Sequence, residues 1–203
     1  MRLSKFSAVR LFAFVAMLTP GLWLILKFIQ QDLGANPVEF LSHQTGKWTL
    51  IFLLTGLAIS PLKNILGWKS PMKLRRMVGL YAFFYACLHL TIYWVFDQSL
   101  SFTYVWDDIR KRPYITIGFS AWLLLIPLAI TSANYFRKRM GKNWIRLHKL
   151  VYLTALLGLL HYVWLIRADY AETFIYAAVL FLLLGYRLIG SPKLEFKIRR
   201  SQA

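Results

Sequence analysis

Residues 73–96 read KLRRMVGLYAFFYACLHLTIYWVF. Three basic residues open the stretch, and some twenty predominantly apolar residues follow. That is the length a helix needs to cross the hydrocarbon core of a bilayer. A basic cluster at one end of such a span marks the cytoplasmic side. Within the apolar run lies one imidazole, His89, thirteen residues beyond Arg76. At 1.5 Å per residue it sits roughly 20 Å into the membrane.

Five further stretches share this character. The expected spans are about 10–30, 47–66, 74–96, 114–133, 148–166 and 172–190. They predict an all-α integral membrane protein, a six-transmembrane-helix bundle forming a single domain over 1–203. The first apolar run exceeds a signal-peptide core, and no small-residue cleavage site follows it, so it reads as a retained span. Pro20 and Pro127 should kink the first and fourth spans, as membrane helices tolerate. Gly34-Ala35-Asn36-Pro37, Lys69-Ser70-Pro71 and Gly190-Ser191-Pro192 read as turns. No internal repeat is legible.

The composition agrees. The 203 residues are 58% hydrophobic and only 16% charged, yet the formal net charge is +17, and mean hydropathy is +0.51. A nucleic-acid binder with such a charge would keep a polar surface. Eight Trp, eleven Tyr and fifteen Phe exclude disorder. With the N-terminus placed in the cytoplasm, 19 of the 25 basic residues fall on that side and seven of the eight acidic ones on the other. Both termini are then cytoplasmic. Arg110-Lys111-Arg112 is the exception on the outer side, read either as neutralised by Asp107 and Asp108 or as an interfacial, partner-facing segment. The net charge is therefore first a topology signal.

Cys87 is the only cysteine. No intramolecular disulfide, cysteine-ligated zinc site or C-x-x-C-H haem attachment can form; Cys87 reads as a small buried filler. Nucleotide-binding glycine motifs and HExxH are absent. No Asp or Glu lies deep in a span, which argues against an ion pump.

The histidines carry the chemistry. The fifth span also runs outward, from Arg146, and His161 lies thirteen residues past His148. His89 and His161 are thus expected at matched depth on parallel helices. Two such imidazoles facing each other supply the axial ligands of a low-spin b-type haem. The plainer reading is two packed histidines bonded to neighbouring helices. His148, near the inner surface with Arg75 and Arg76, stands either as a ligand of a second haem, whose propionates Arg75 or Arg76 could pair, or as a helix-end residue. His43 is expected in an outer loop before the second span, in a surface or capping role or at a quinone or partner site.

Several segments together resemble the MsrQ (YedZ) family, haem-binding membrane subunits of a bacterial periplasmic methionine-sulfoxide reductase system. They are Leu33-Gly34-Ala35-Asn36-Pro37-Val38, Arg75-Arg76-Met77-Val78-Gly79-Leu80 leading to Leu88-His89-Leu90, Arg112-Pro113-Tyr114, and Trp144-Ile145-Arg146-Leu147-His148-Lys149-Leu150-Val151-Tyr152 leading to His161-Tyr162. The resemblance covers nearly the whole chain. Ferric reductase and NADPH oxidase membrane domains are wider relatives with two histidines on each of two helices; here Arg75 and Arg76 stand where the fourth would fall.

The resemblance implies an electron-transfer subunit of the bacterial inner membrane rather than the sulfoxide-reducing enzyme itself. Its cofactors would be one or two b haems and FMN. Electrons would come from the quinone pool or a cytoplasmic flavin reductase and pass to a periplasmic molybdopterin catalytic subunit, MsrP. His89 and His161 carry over as haem ligands, and His148 as a functional histidine. Two other readings compete: a self-contained ferric-reductase-like oxidoreductase, and a transporter or structural membrane protein with packed histidines.

Overall fold

A computed structural model of the chain describes residues 5–67, 70–165 and 170–189. Arg2, Lys69, Arg167, Asp169 and the turn and charges from Gly190 onward lie outside these residues. Among the described residues every regular element is helical. The elements are α1 (Lys5–Ile29), α2 (Pro37–Leu66), a 3₁₀ turn at Ser70–Lys73, α3 (Arg75–Ile92) continuing as a wider turn at Tyr93–Asp97, and α4 (Phe102–Lys111). They continue with α5 (Pro113–Ile130), α6 (Asn134–Met140), α7 (Lys142–His148), α8 (Leu150–Leu165) and α9 (Ala171–Ile189).

Among the described residues six segments are long and apolar enough to cross a membrane: Ser7–Ile29, Pro37–Leu66, Arg75–Asp97, Pro113–Ile130, Lys142–Leu165 and Ala171–Ile189. Their outward faces carry large apolar side chains such as Phe12, Ile29, Phe174, Leu182 and Leu188. A protein in water rarely leaves so continuous an apolar surface uncovered. The chain is a multi-pass membrane protein.

Two antiparallel hairpins form the centre. In one, α2 packs on α3; in the other, α5 packs on α8. Phe52, Tyr81, Ala82, Tyr85, Leu125 and Leu128 join them in a buried core, while Leu50, Leu54, Leu57, Ala155, Leu159 and Leu180 bind α8 and α9 to α2. The peripheral α1 is attached beside Pro20. Pro20 has no N–H to continue the helical ladder. The next ladder bond is replaced as well: the Tyr85 hydroxyl accepts from Gly21 N at 2.7 Å and donates to Met17 O at 3.1 Å. A buried tyrosine from α3 thus stands in for one turn of α1's own bonding. Tyr81 adds a bond to Phe14 O at 2.9 Å.

One expected boundary is corrected. The second transmembrane helix begins about ten residues before the expected span. Asn36 accepts from Glu39 N as its cap, and Pro37 occupies the first turn, where its missing N–H costs nothing. His43, expected in a loop, is therefore on α2. The fifth span lies where it is expected: α8 begins within two residues of the expected start, and the short α7 precedes it across a turn at Lys149.

The short α4 is amphipathic, with Phe102, Tyr104 and Trp106 exposed. The basic triplet beside it is largely neutralised. Lys111 pairs with Asp107 at 3.4 Å, Arg112 with Asp108 at 3.3 Å, and Arg110 lies 5.4 Å from the Trp106 ring centre.

Candidate functional site

A cavity lies between the two hairpins and reaches α4, lined by residues of α2, α3, α4, α5 and α8. Its walls are mostly apolar, and several are small: Gly46, Ala86, Gly118, Ala121 and Gly158. Such residues leave a slot between helices where larger side chains would fill it. Trp122 forms part of the wall and donates to Cys87 Sγ at 3.4 Å. Cys87 is therefore partly buried with a polar neighbour rather than an inert filler.

His89 from α3 and His161 from α8 face each other in this cavity, their ring centres 6.1 Å apart and their planes at 75°. His89 Nδ1 donates to Ser42 O at 2.9 Å, and His161 Nδ1 donates to Tyr114 O at 2.7 Å. A neutral imidazole that donates from Nδ1 keeps its lone pair on Nε2. Both side chains are thereby fixed in the tautomer that ligates a metal through Nε2.

The two halves repeat one arrangement. In each, the accepting carbonyl precedes the histidine by 47 residues, and a glycine stands one helical turn past that carbonyl. A Cβ added at Gly46 would lie 3.3 Å from His89 Cε1; one at Gly118 would lie 2.7 Å from His161 Nδ1. The glycines let each imidazole reach the helix backbone. The repeat is invisible in residue types because its parts are a backbone carbonyl, a missing side chain and one histidine.

Two imidazoles alone are an incomplete donor set for an isolated ion, and among the described residues no group of three or more His, Cys, Asp or Glu side chains could hold a metal. A haem supplies four nitrogens of its own and needs two axial ligands. An imidazole nitrogen sits about 2 Å from a first-row metal, so two rings on opposite sides of one iron have centres roughly 6 Å apart. The observed pair, the free Nε2 atoms and the slot of small residues all fit that group.

Beside this cavity, Asp108 on α4 ties its own helix to the end of α3. It accepts from Tyr93 Oη at 3.0 Å and from the buried Gln98 Nε2 at 2.8 Å. Its charge also holds the Arg112 guanidinium even further above the usual pH range of deprotonation. Tyr93, Val105, Ile109 and His43 all line the cavity. Nothing in the residue types marked Asp108 or the glycines as parts of this site.

The remaining expected residues lie elsewhere. His148 does not line this cavity. It stacks on Trp144 with ring centres 3.9 Å apart, and its Nδ1 donates to Trp144 O at 3.1 Å. Arg75 reaches Ser60 Oγ on α2 at 3.4 Å, and Arg76 is exposed. The structure thus brings His89 and His161 together and leaves His148, Arg75 and Arg76 at the opposite, basic end.

Known proteins bear on this arrangement. The profile of the ferric reductase like transmembrane component matches residues 43–159. The protein-methionine-sulfoxide reductase heme-binding subunit MsrQ of Rhodospirillum rubrum is 50% identical over 91% of this chain and 89% of its own length. The chain belongs to the MsrQ family. Members of the same name from Xanthomonas euvesicatoria pv. vesicatoria and Xanthomonas campestris pv. campestris are each 47% identical over 86% of this chain and 80% of their own length. No solved structure matches. In this MsrQ-family chain the matched profile contains His89 and His148 but ends just short of His161, so that ligand candidate rests on the geometry.

Proposed function

We propose that the chain is the b-haem electron-transfer subunit of a bacterial inner-membrane methionine-sulfoxide reductase system. The observation that carries this reading is the facing pair His89 and His161, each with Nδ1 bonded to a carbonyl and Nε2 free. When bound, a haem there would supply reversible one-electron chemistry at its iron. The residues' task is to hold it. His89 and His161 would hold it through their Nε2 atoms, Ser42 O and Tyr114 O orient the two rings, and the apolar walls would keep water away. A rigid and dry setting lowers the reorganisation that accompanies each electron transfer.

The positive-inside rule supports placing the basic end in the cytoplasm. The cavity, which reaches α4, then lies toward the periplasmic side. On this reading electrons enter from the quinone pool or a cytoplasmic flavin reductase, with FMN on the donor side as the family resemblance implies. They leave to the periplasmic molybdopterin subunit MsrP, which reduces methionine sulfoxide in oxidised proteins. The relatives' shared name, a heme-binding subunit of a protein-methionine-sulfoxide reductase, supports that assignment. His148, Arg75 and Arg76 remain the candidates for a second haem.

The test is an absorbance spectrum of the purified, reduced protein. The parent should show a Soret band and a reduced α-band, and His89→Ala and His161→Ala should each lose them or shift them strongly. Full haem content and an unchanged spectrum in both variants would sink the assignment. An iron count of one per chain would match this cavity alone; two would add a site at the basic end.

A further inference from the structure

The basic end of the bundle holds a second polar cluster. Arg187 on α9 donates from Nη2 to Leu57 O at 2.9 Å and from Nη1 to the Tyr152 hydroxyl. Its guanidinium carbon lies 4.8 Å from the Tyr152 ring centre. Leu57 O is open to this donor because Pro61, one turn on, has no N–H to give it. Arg75 reaches Ser60 on the same helix. Leu57 and Ser60 are three residues apart and so share one face of α2. Arg75 and Arg187 therefore anchor on one face of α2, about one turn apart, where their like charges repel one another.

Among the described residues this cluster has no acidic partner. All six described acidic residues, Asp32, Glu39, Asp97, Asp107, Asp108 and Glu172, lie at the other end of the bundle. None of the ion pairs among the described residues involves Arg75 or Arg187. Arg187 Nε is buried and has no hydrogen-bond partner among the described residues. Holding two like charges together in a partly buried place is costly unless something of opposite sign joins them. Paired guanidinium forks suit an oxyanion that can accept several parallel bonds.

We propose that Arg75 and Arg187 form a binding site for a phosphate-type oxyanion at the basic end of the bundle. The phosphate belongs either to a phospholipid headgroup or to a soluble phosphate-bearing molecule. Arg187, fixed by Leu57 O and Tyr152, orients the site, and Arg75, held by one long bond, closes on the ligand. The proposal does not depend on the assignment of His89 and His161.

The experiment uses the full chain in neutral detergent and follows its thermal unfolding midpoint. Chloride is replaced by inorganic phosphate at constant ionic strength. A parallel series adds lipid vesicles of phosphatidylcholine, with or without phosphatidylglycerol. The expected result is a saturable rise in the midpoint with phosphate or with phosphatidylglycerol. Arg75→Gln and Arg187→Gln should weaken that response by at least about ten-fold, the scale of losing a charged hydrogen bond. Lys63→Gln, a nearby basic residue outside the cluster, should leave it unchanged. If Arg187→Gln fails to fold, Arg75→Gln carries the test.

A response to inorganic phosphate supports the proposal with a soluble source, and a response to phosphatidylglycerol alone supports it with a lipid source. No response to either overturns it, as does an equal response in the Arg75→Gln variant.

Discussion

The Nδ1 of His161 lies 2.7 Å from the carbonyl of Tyr114, and that contact exists because Gly118 has no side chain. Its counterpart joins His89 to Ser42 at 2.9 Å beside Gly46. Each half of the site thus consists of a carbonyl, a glycine and an imidazole held by one hairpin. The equivalence is not complete. A Cβ at Gly118 would overlap His161 at 2.7 Å, whereas one at Gly46 would press His89 at 3.3 Å.

The first prediction follows from that asymmetry. Gly118→Ala must displace the His161 ring and break its bond to Tyr114 O. Gly46→Ala requires His89 to give by only a few tenths of an ångström. Changes to groups that orient metal ligands typically cost about 10- to 100-fold in metal affinity. Haem retained per chain, read from the reduced α-band, should fall severely in Gly118→Ala and mildly in Gly46→Ala. Equal retention in both would show that the glycines do not set the ligands.

Tyr85 supports a second prediction. Its hydroxyl replaces a bond of α1, accepting from Gly21 N and donating to Met17 O. Tyr85→Phe leaves both backbone groups without that partner in a buried place. Each unsatisfied group costs about 1–3 kcal/mol. The variant should unfold at clearly lower temperature or denaturant concentration while keeping its haem spectrum, because Tyr85 belongs to the α1 attachment and not to the cavity. Unaltered stability would mean that α1 closes its own ladder bond when the hydroxyl is gone.

How far these features could be read beforehand depended on what carried the signal. The six spans are a property of apolar side-chain runs, and hydropathy finds them. The meeting of His89 and His161 followed from counting residues from two basic clusters, because helix rise converts sequence distance into depth. Their supports are another matter. Ser42 and Tyr114 act through carbonyls that every residue possesses, and Gly46 and Gly118 act by what they lack. His43 was misplaced because Asn36-Pro37 is as good a turn as it is a helix start; the bond from Glu39 N to Asn36 decides between them. Arg187 was assigned only to a topology count, since its role depends on a carbonyl freed by Pro61 in a distant helix.

Asp108 gives a third prediction. Its carboxylate gathers Tyr93, Gln98 and Arg112, joining α4 to the end of α3 and the start of α5. Asp108→Asn removes the charge that holds Arg112 and leaves one oxygen for the two donors. Hydrogen bonds to charged groups are worth about 1.5–3 kcal/mol each. Amide hydrogen exchange across residues 98–112 should accelerate, with little change in the spans. An exchange pattern identical to the parent would show that α4 is held by its apolar contacts alone.

The last prediction concerns the two polar links between α9 and α2. At one end Lys47 pairs with Glu172 at 2.7 Å, the side chains 27% and 49% exposed. At the other, Arg187 donates to the Leu57 carbonyl that Pro61 leaves open. Exposed ion pairs contribute about 0–1 kcal/mol, since water screens them and ordering two long side chains costs entropy. The Arg187 bond is part-buried, and without it Leu57 O loses a partner that its own helix cannot replace. Glu172→Gln should therefore lower stability by less than about 1 kcal/mol, an effect that shrinks further at high salt. Arg187→Met should cost about 1–3 kcal/mol when no phosphate is present, and the loss should persist at high salt. Parallel denaturant titrations at low and high salt check the ordering. A larger loss in Glu172→Gln would mean that the ion pair, and not the proline-opened carbonyl, fastens the last helix to the bundle.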